Sequence, residues 1–111
     1  MQNLLDADLV HIVYITIPRD EGKNLARKLV EKRLVACVNI VSVVESYFWW
    51  KGSVKHDVES LLICKTTVAK FQDLMAYVHE VHPYDVPEII AYPVATGHPD
   101  YIAWIHKETE G

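Results

Sequence analysis

Between Val10 and Ile17 the large apolar residues occupy both parities: Val10, Ile12 and Tyr14 alternate with Val13, Ile15 and Ile17. A strand with that pattern is buried on both faces, and Pro18 stops it. The period then changes. Asp20 stands where it can cap a helix, with Glu21 near the positive end of the helix dipole. Leu25, Ala26, Leu29 and Val30 recur as one helical face, while Lys28, Lys32 and Arg33 gather toward the negative end. From Val35 to Trp50 the chain holds no proline or glycine and reads as strand. Lys51-Gly52 is a two-residue hairpin turn, and Ser53 to Lys65 returns through the apolar Leu61-Leu62-Ile63-Cys64. Thr67 can cap a second helix whose stripe, Phe71, Leu74, Met75, Val78 and Val81, ends at Pro83. Ile89-Ile90-Ala91-Tyr92 is a short strand closed by Pro93, which suits a sheet edge. Pro99 opens a terminal helix that has Tyr101, Ile102, Trp104 and Ile105 to dock with. Residues 1–8 show no period and read as a loose terminus.

The predicted order is β-α-β-β-α-β plus a terminal helix. This is a single α+β domain over residues 1–111, a ferredoxin-like sandwich with a long hairpin between its second and third strands. Two main helices cover one face of such a sheet, yet the first strand is apolar on both sides, and Leu61 and Ile63 oppose Leu62 and Cys64. The second face therefore needs a cover. The hairpin makes the same demand through its length, since residues at ~3.3 Å each carry the Val35–Trp50 run across about 50 Å. A compact chain of this size is only roughly 35 Å wide. Its overhanging tip carries Tyr47-Phe48-Trp49-Trp50, costly to leave in water. A homo-oligomer meets both demands.

The chemistry concentrates in His82-Pro83-Tyr84-Asp85-Val86-Pro87-Glu88-Ile89. Each proline fixes its own φ and pushes the preceding residue out of the helical region, so His82 and Val86 are expected to be extended. The stiff corner holds an imidazole, a phenol and two carboxylates. One reading is a structural helix-to-strand connection, the other a ligand site on a loop. His79 and His82 are three apart, a spacing compatible with joint metal ligation and equally with a helix C-terminus that favours positive charge.

Composition narrows the classes. A net charge of −4, with acids and bases interspersed, argues against a nucleic-acid partner. The sequence has no 18-residue apolar run and no basic-then-apolar leader, which predicts no membrane span and a cytoplasmic location. Cys37 and Cys64 fit neither a metal pattern nor a disulfide framework. Pairing Trp50 with Ser53 sets Asn39 opposite Cys64 and leaves Cys37 diagonal, ~7–8 Å away and too far to bridge, unless a bulge changes the register.

With these elements in order, the chain resembles the CutA divalent-cation tolerance family along nearly its whole length. The matching pieces are Ala36-Cys37-Val38-Asn39, Trp50-Lys51-Gly52, Lys65-Thr66, the His82–Ile89 corner and Pro99-Asp100-Tyr101-Ile102-Ala103-Trp104. The resemblance implies a ferredoxin-like homotrimer, similar in architecture to PII signalling proteins, linked to tolerance of copper and other divalent cations. It also implies copper ligands in the first strand and just before the corner proline. Here those positions hold Ile15 and Val81, and only His82 carries over. His82, Asp85 and Glu88 then form the candidate metal set, a mixed nitrogen/oxygen site favouring Cu²⁺ by intrinsic affinity. Such an ion is expected to bind weakly and not to be needed for folding. The contrary reading pairs Asp85 or Glu88 with a cation across a subunit boundary. A small-molecule sensor would need a basic or glycine-rich cradle, which is absent. An enzyme is not expected, because Cys37 sits in an apolar strand where burial makes a thiol inert. A structural trimer that presents loops to a protein partner is the remaining alternative.

Overall fold

The computed structural model describes residues 9–110; the loose terminus expected over residues 1–8 lies outside them. The elements are β1 (Val10–Pro18), a 3₁₀ turn (Arg19–Glu21), α1 (Gly22–Glu31), β2 (Cys37–Trp50), β3 (Ser53–Thr67), α2 (Val68–Val81), β4 (Ile89–Pro93) and α3 (Pro99–Glu108). The sheet order is β2-β3-β1-β4, with every neighbouring pair antiparallel. This is the expected α+β sandwich.

Register assigns the faces. Val13 lies opposite Cys64 and Ala91, and Ile15 opposite Leu62 and Ile89. These side chains share the helix-covered face, where Leu25 and Leu29 of α1 and Leu74 and Val78 of α2 complete the core. The stripes are narrower than expected: Val30 is 42% and Val81 44% exposed. On the other face run Ile12, Tyr14, Ile63, Val41, Ile90 and Tyr92, which α3 covers only at one end. There Ile105 and Ile102 pack with Val10 and Ala36, while Tyr101 and Trp104 stay partly exposed. Ile90 is 56% exposed, so the second face is open in a single chain.

The expected caps differ. Asp20 sits inside the 3₁₀ turn and Glu21 precedes α1, with no side-chain cap bond. Gly22 leads because a Cβ there would meet the Ser60 Cβ at 2.9 Å. Thr67 does precede α2 with extended backbone, but its side chain makes no cap bond. At the other end of α1, Arg33 at φ 56° closes a Schellman turn, Leu34 N–H donating to the Leu29 carbonyl at 3.1 Å. Arg33 occupies a position glycine usually takes, and its guanidinium reaches the Glu108 carboxylate at 3.0 Å.

The hairpin turns at Lys51 (φ 49°) and Gly52 (φ 81°), the two positive angles of a type I′ turn. Trp50 faces Ser53 as expected, but the register slips by one between Val41 and Val44. Beyond that bulge Val38, not Asn39, lies opposite Cys64, and Cys37 lies opposite Lys65. The two cysteines therefore point to opposite faces of the sheet, and both are free thiols. Ser60 braces the bulge by donating to the Ser42 carbonyl at 2.8 Å. The overhanging hairpin gives the molecule a long axis of 48 Å against 30 and 23 Å.

Candidate functional site: a cleft between hairpin and corner

The corner is built as its prolines dictate. His82 ends α2 with φ −74° and ψ 138°, which turns its ring away from the helix and under the sheet. There it is 7% exposed. Its Nε2 donates to the Thr16 carbonyl at 2.7 Å, and its Nδ1 accepts the Tyr84 N–H at 3.1 Å. Only the neutral tautomer with hydrogen on Nε2 satisfies both bonds. His82 thus spends both ring nitrogens inside the chain and locks the corner onto β1. His79, by contrast, is exposed on α2 and does not join it.

Tyr84 projects from this lock to the base of the hairpin, where its hydroxyl donates to Glu59 Oε2 at 3.0 Å. Burial, then that bond, then the nearby charges of Glu59, Asp57 and Glu21 push the phenol up to about 12, so it stays a donor. Glu59 itself is 5% exposed. On the corner's far side Glu88 accepts from the Thr16 hydroxyl at 3.4 Å, a long contact.

Between corner and hairpin lies a cleft of about 960 Å³. Glu45, Asp57 and Glu59 line it from the hairpin, Asp85 and Glu88 from the corner, and Lys55 is its one lysine. Tyr47, Phe48, Trp49, Trp50 and Tyr84 add aromatic walls. Tyr47 stacks on His56 at 4.5 Å, and His56 Nε2 meets Glu45 Oε1 at 3.0 Å. Of the candidate set, Asp85 and Glu88 reach the cleft and are exposed, while His82 does not line it. Among the described residues no three His, Cys, Asp or Glu side chains converge closely enough to hold one ion. A single chain therefore offers a negative basin and no built chelate.

The hairpin acids were not singled out from sequence, where the run reads as an assembly surface. The signal was present: Asp57 and Glu59 are two apart, hence on one face of β3, with Glu59 opposite Pro18 at the end of β1 and Asp57 just beyond it in the hairpin.

Comparison with known proteins agrees with the fold. The family described as CutA1 divalent ion tolerance protein matches residues 11–108. The chloroplastic protein CutA 1 of Oryza sativa is 44% identical over 88% of this chain and 56% of its own length. The divalent-cation tolerance protein CutA of Thermus thermophilus is 46% identical over 88% of this chain and 96% of its own. This chain thus spans little more than half of the rice relative but nearly all of the bacterial one. A solved structure described as the periplasmic divalent cation tolerance protein CutA of Archaeoglobus fulgidus superposes with a TM-score of 0.87. It is 36% identical, covering 91% of this chain and 99% of that one. Relatives named for the chloroplast and the periplasm overturn the cytoplasmic assignment, because the same fold occurs in proteins named for other compartments. The family is named for tolerance and not for a reaction. Matched across almost its whole length by fold, motif order and sequence, the chain belongs to the CutA1 divalent ion tolerance family.

Proposed function

We propose that this protein is a homotrimer that binds divalent cations weakly and contributes to metal tolerance. The carrying observation is the charge of one cleft, five carboxylates against a single lysine, without any preformed triad. That arrangement suits a partly hydrated ion held through water, with modest affinity and broad selectivity. Asp85 and Glu88 are the exposed contacts from the corner, His82 positions them, and His56 offers the cleft's imidazole. Cu²⁺ is then favoured among divalent ions by intrinsic affinity for nitrogen and oxygen donors. The same charge balance weighs against an anionic metabolite as ligand. The trimer reading rests on the open apolar sheet face and the aromatic overhang.

Calorimetric titration with Cu²⁺ and Mn²⁺ tests the reading. Replacing both corner acids, Asp85→Asn with Glu88→Gln, should weaken binding by about three- to tenfold, as for two screened charges. Unchanged heats in a folded double variant would remove the cleft from the function.

A further inference from the structure

We propose that the corner is an acid-sensitive latch: a second proton on His82 releases Tyr84 and uncouples the corner from the hairpin. This goes beyond the divalent-ion reading and does not depend on it.

His82 stands in the middle of a hydrogen-bonded chain that crosses three elements. Its backbone N–H donates to the Val78 carbonyl at 2.8 Å, so α2 holds the residue in place. Its Nε2–H donates to the Thr16 carbonyl, its Nδ1 accepts from the Tyr84 N–H, and the Tyr84 hydroxyl donates to Glu59. That last contact is the only side-chain hydrogen bond among the described residues between the corner and the hairpin. β1, the corner and β3 are thus tied in series through one imidazole. The His82 and Tyr84 rings also touch, with centroids 4.8 Å apart.

The chain holds in one protonation state only. A neutral imidazole offers one donor and one acceptor, whereas an imidazolium offers two donors. With Nε2 already carrying hydrogen, a second proton taken from solvent binds Nδ1. An N–H there points at the Tyr84 N–H, so donor faces donor across 3.1 Å. The bond to Tyr84 breaks, and a ring only 7% exposed is left with an unmatched charge. The loop has to move for that charge to find a partner.

The charged groups around the chain favour such a move. From β3 Glu59 stands at the far end of Tyr84, and Asp57 of the hairpin and Glu21 of the 3₁₀ turn act on the same phenol. Glu88, at the approach to β4, accepts from the Thr16 hydroxyl, and β1 itself presents Thr16 without a charge. The corner adds the exposed Asp85, and the last turn of α2 adds the exposed His79 and Glu80. An imidazolium that leaves its closed position therefore meets mostly carboxylates, which stabilise it. Imidazole is the side chain whose charge changes between about pH 5 and 8, so mild acid is enough to work the latch.

Heteronuclear NMR of the isotope-labelled full chain between about pH 8 and 5 tests the latch, reading the His82 ring nitrogens and the exchange of the Tyr84 amide. At the alkaline end the ring should carry hydrogen on Nε2 alone, with the Tyr84 amide protected. As the ring takes its second proton, Tyr84 exchange, corrected for the intrinsic effect of pH, should rise about tenfold, the worth of one hydrogen bond. The amides of Val13 and Leu62, on the two central strands, should keep their protection. His82→Asn, which cannot take up the proton, should lose the transition; if that variant fails to fold, the ring and amide signals of the parent decide alone. His56→Gln should keep it, although His56 pairs with Glu45 on the hairpin. A ring that stays neutral to the acid end, or a Tyr84 amide that stays protected while the ring titrates, would overturn the inference. So would loss of Val13 and Leu62 protection in step with Tyr84, which is global unfolding, or loss of the transition in His56→Gln.

Discussion

His82 and Thr16 are joined by a 2.7 Å hydrogen bond from an imidazole to a backbone carbonyl, across 66 residues of sequence. The bond fixes a proline-bounded loop to the central β1 strand, and it consumes the nitrogen that a metal would need. His82→Ala should therefore cost about 1–3 kcal/mol in urea unfolding, the usual penalty for orphaning buried partners. Cu²⁺ affinity should change by less than about threefold. A collapse of affinity in a variant that stays fully folded would make His82 a ligand after all.

The turn makes a second test. Lys51 holds φ 49° and Gly52 φ 81°, so the lysine bears a left-handed conformation without glycine's freedom. Lys51→Asn should raise stability by about 0.5–1 kcal/mol, since asparagine tolerates that region and Asn-Gly is the favoured pair. Gly52→Ala should lower it by about 1–2 kcal/mol. Thermal melts of both variants decide the point, and equal melting temperatures would contradict it.

Thiol chemistry follows from the faces. Burial pushes the Cys64 thiol up to about 12, so it stays protonated and shielded at pH 8. Cys37 is half-buried on the other face. Ellman's reagent should label at most one thiol per native chain and two after denaturation. Non-reducing mass spectrometry should show no loss of two hydrogens.

Tyr84 gives a pH dependence with a definite sign. Its folded-state value, about 12, lies above the ordinary tyrosine value of 10. The stability it contributes is complete below pH 10 and is lost as pH rises toward 12. Tyr84→Phe should show a shallower alkaline decline over that window, and an identical decline would free Tyr84 from the account.

Assembly is tested at the open face. Ile90 is 56% exposed on the edge strand β4, beside the half-exposed Tyr92. Ile90→Glu should shift sedimentation toward single chains and make the melting temperature depend on concentration. A parent that sediments as a stable single chain at micromolar concentration would end the trimer reading.

Much of this fold was legible because apolar period and breakers agreed. Pro18, Pro83 and Pro93 lie at or just beyond the ends of β1, α2 and β4, and Lys51-Gly52 turns where expected. Three things were not legible. The bulge near Ser42 leaves no mark in hydrophobicity, since Val41, Val43 and Val44 suit either phase, so the cysteine register came out one residue off. The imidazole of His82 looked available because its partner is a backbone oxygen, which no side-chain pattern reveals. The cleft joins residues 45–59 to residues 84–88, and only tertiary structure brings those segments together.

The bulge between Val41 and Val44 also separates two reading frames along a single strand. Inward of it, alternation is governed by the core, where Val38 and Ile40 pack beside Cys64 and Leu62. Outward of it, alternation answers only to the turn and the cleft. Ser60, holding the Ser42 carbonyl, acts as a phase lock between them. The arm can therefore gain or lose residues in opposed pairs, growing or shrinking like a telescoping boom, without turning one core side chain toward water. Reach and interior are thereby uncoupled: the length of the arm can change while the sandwich stays the same.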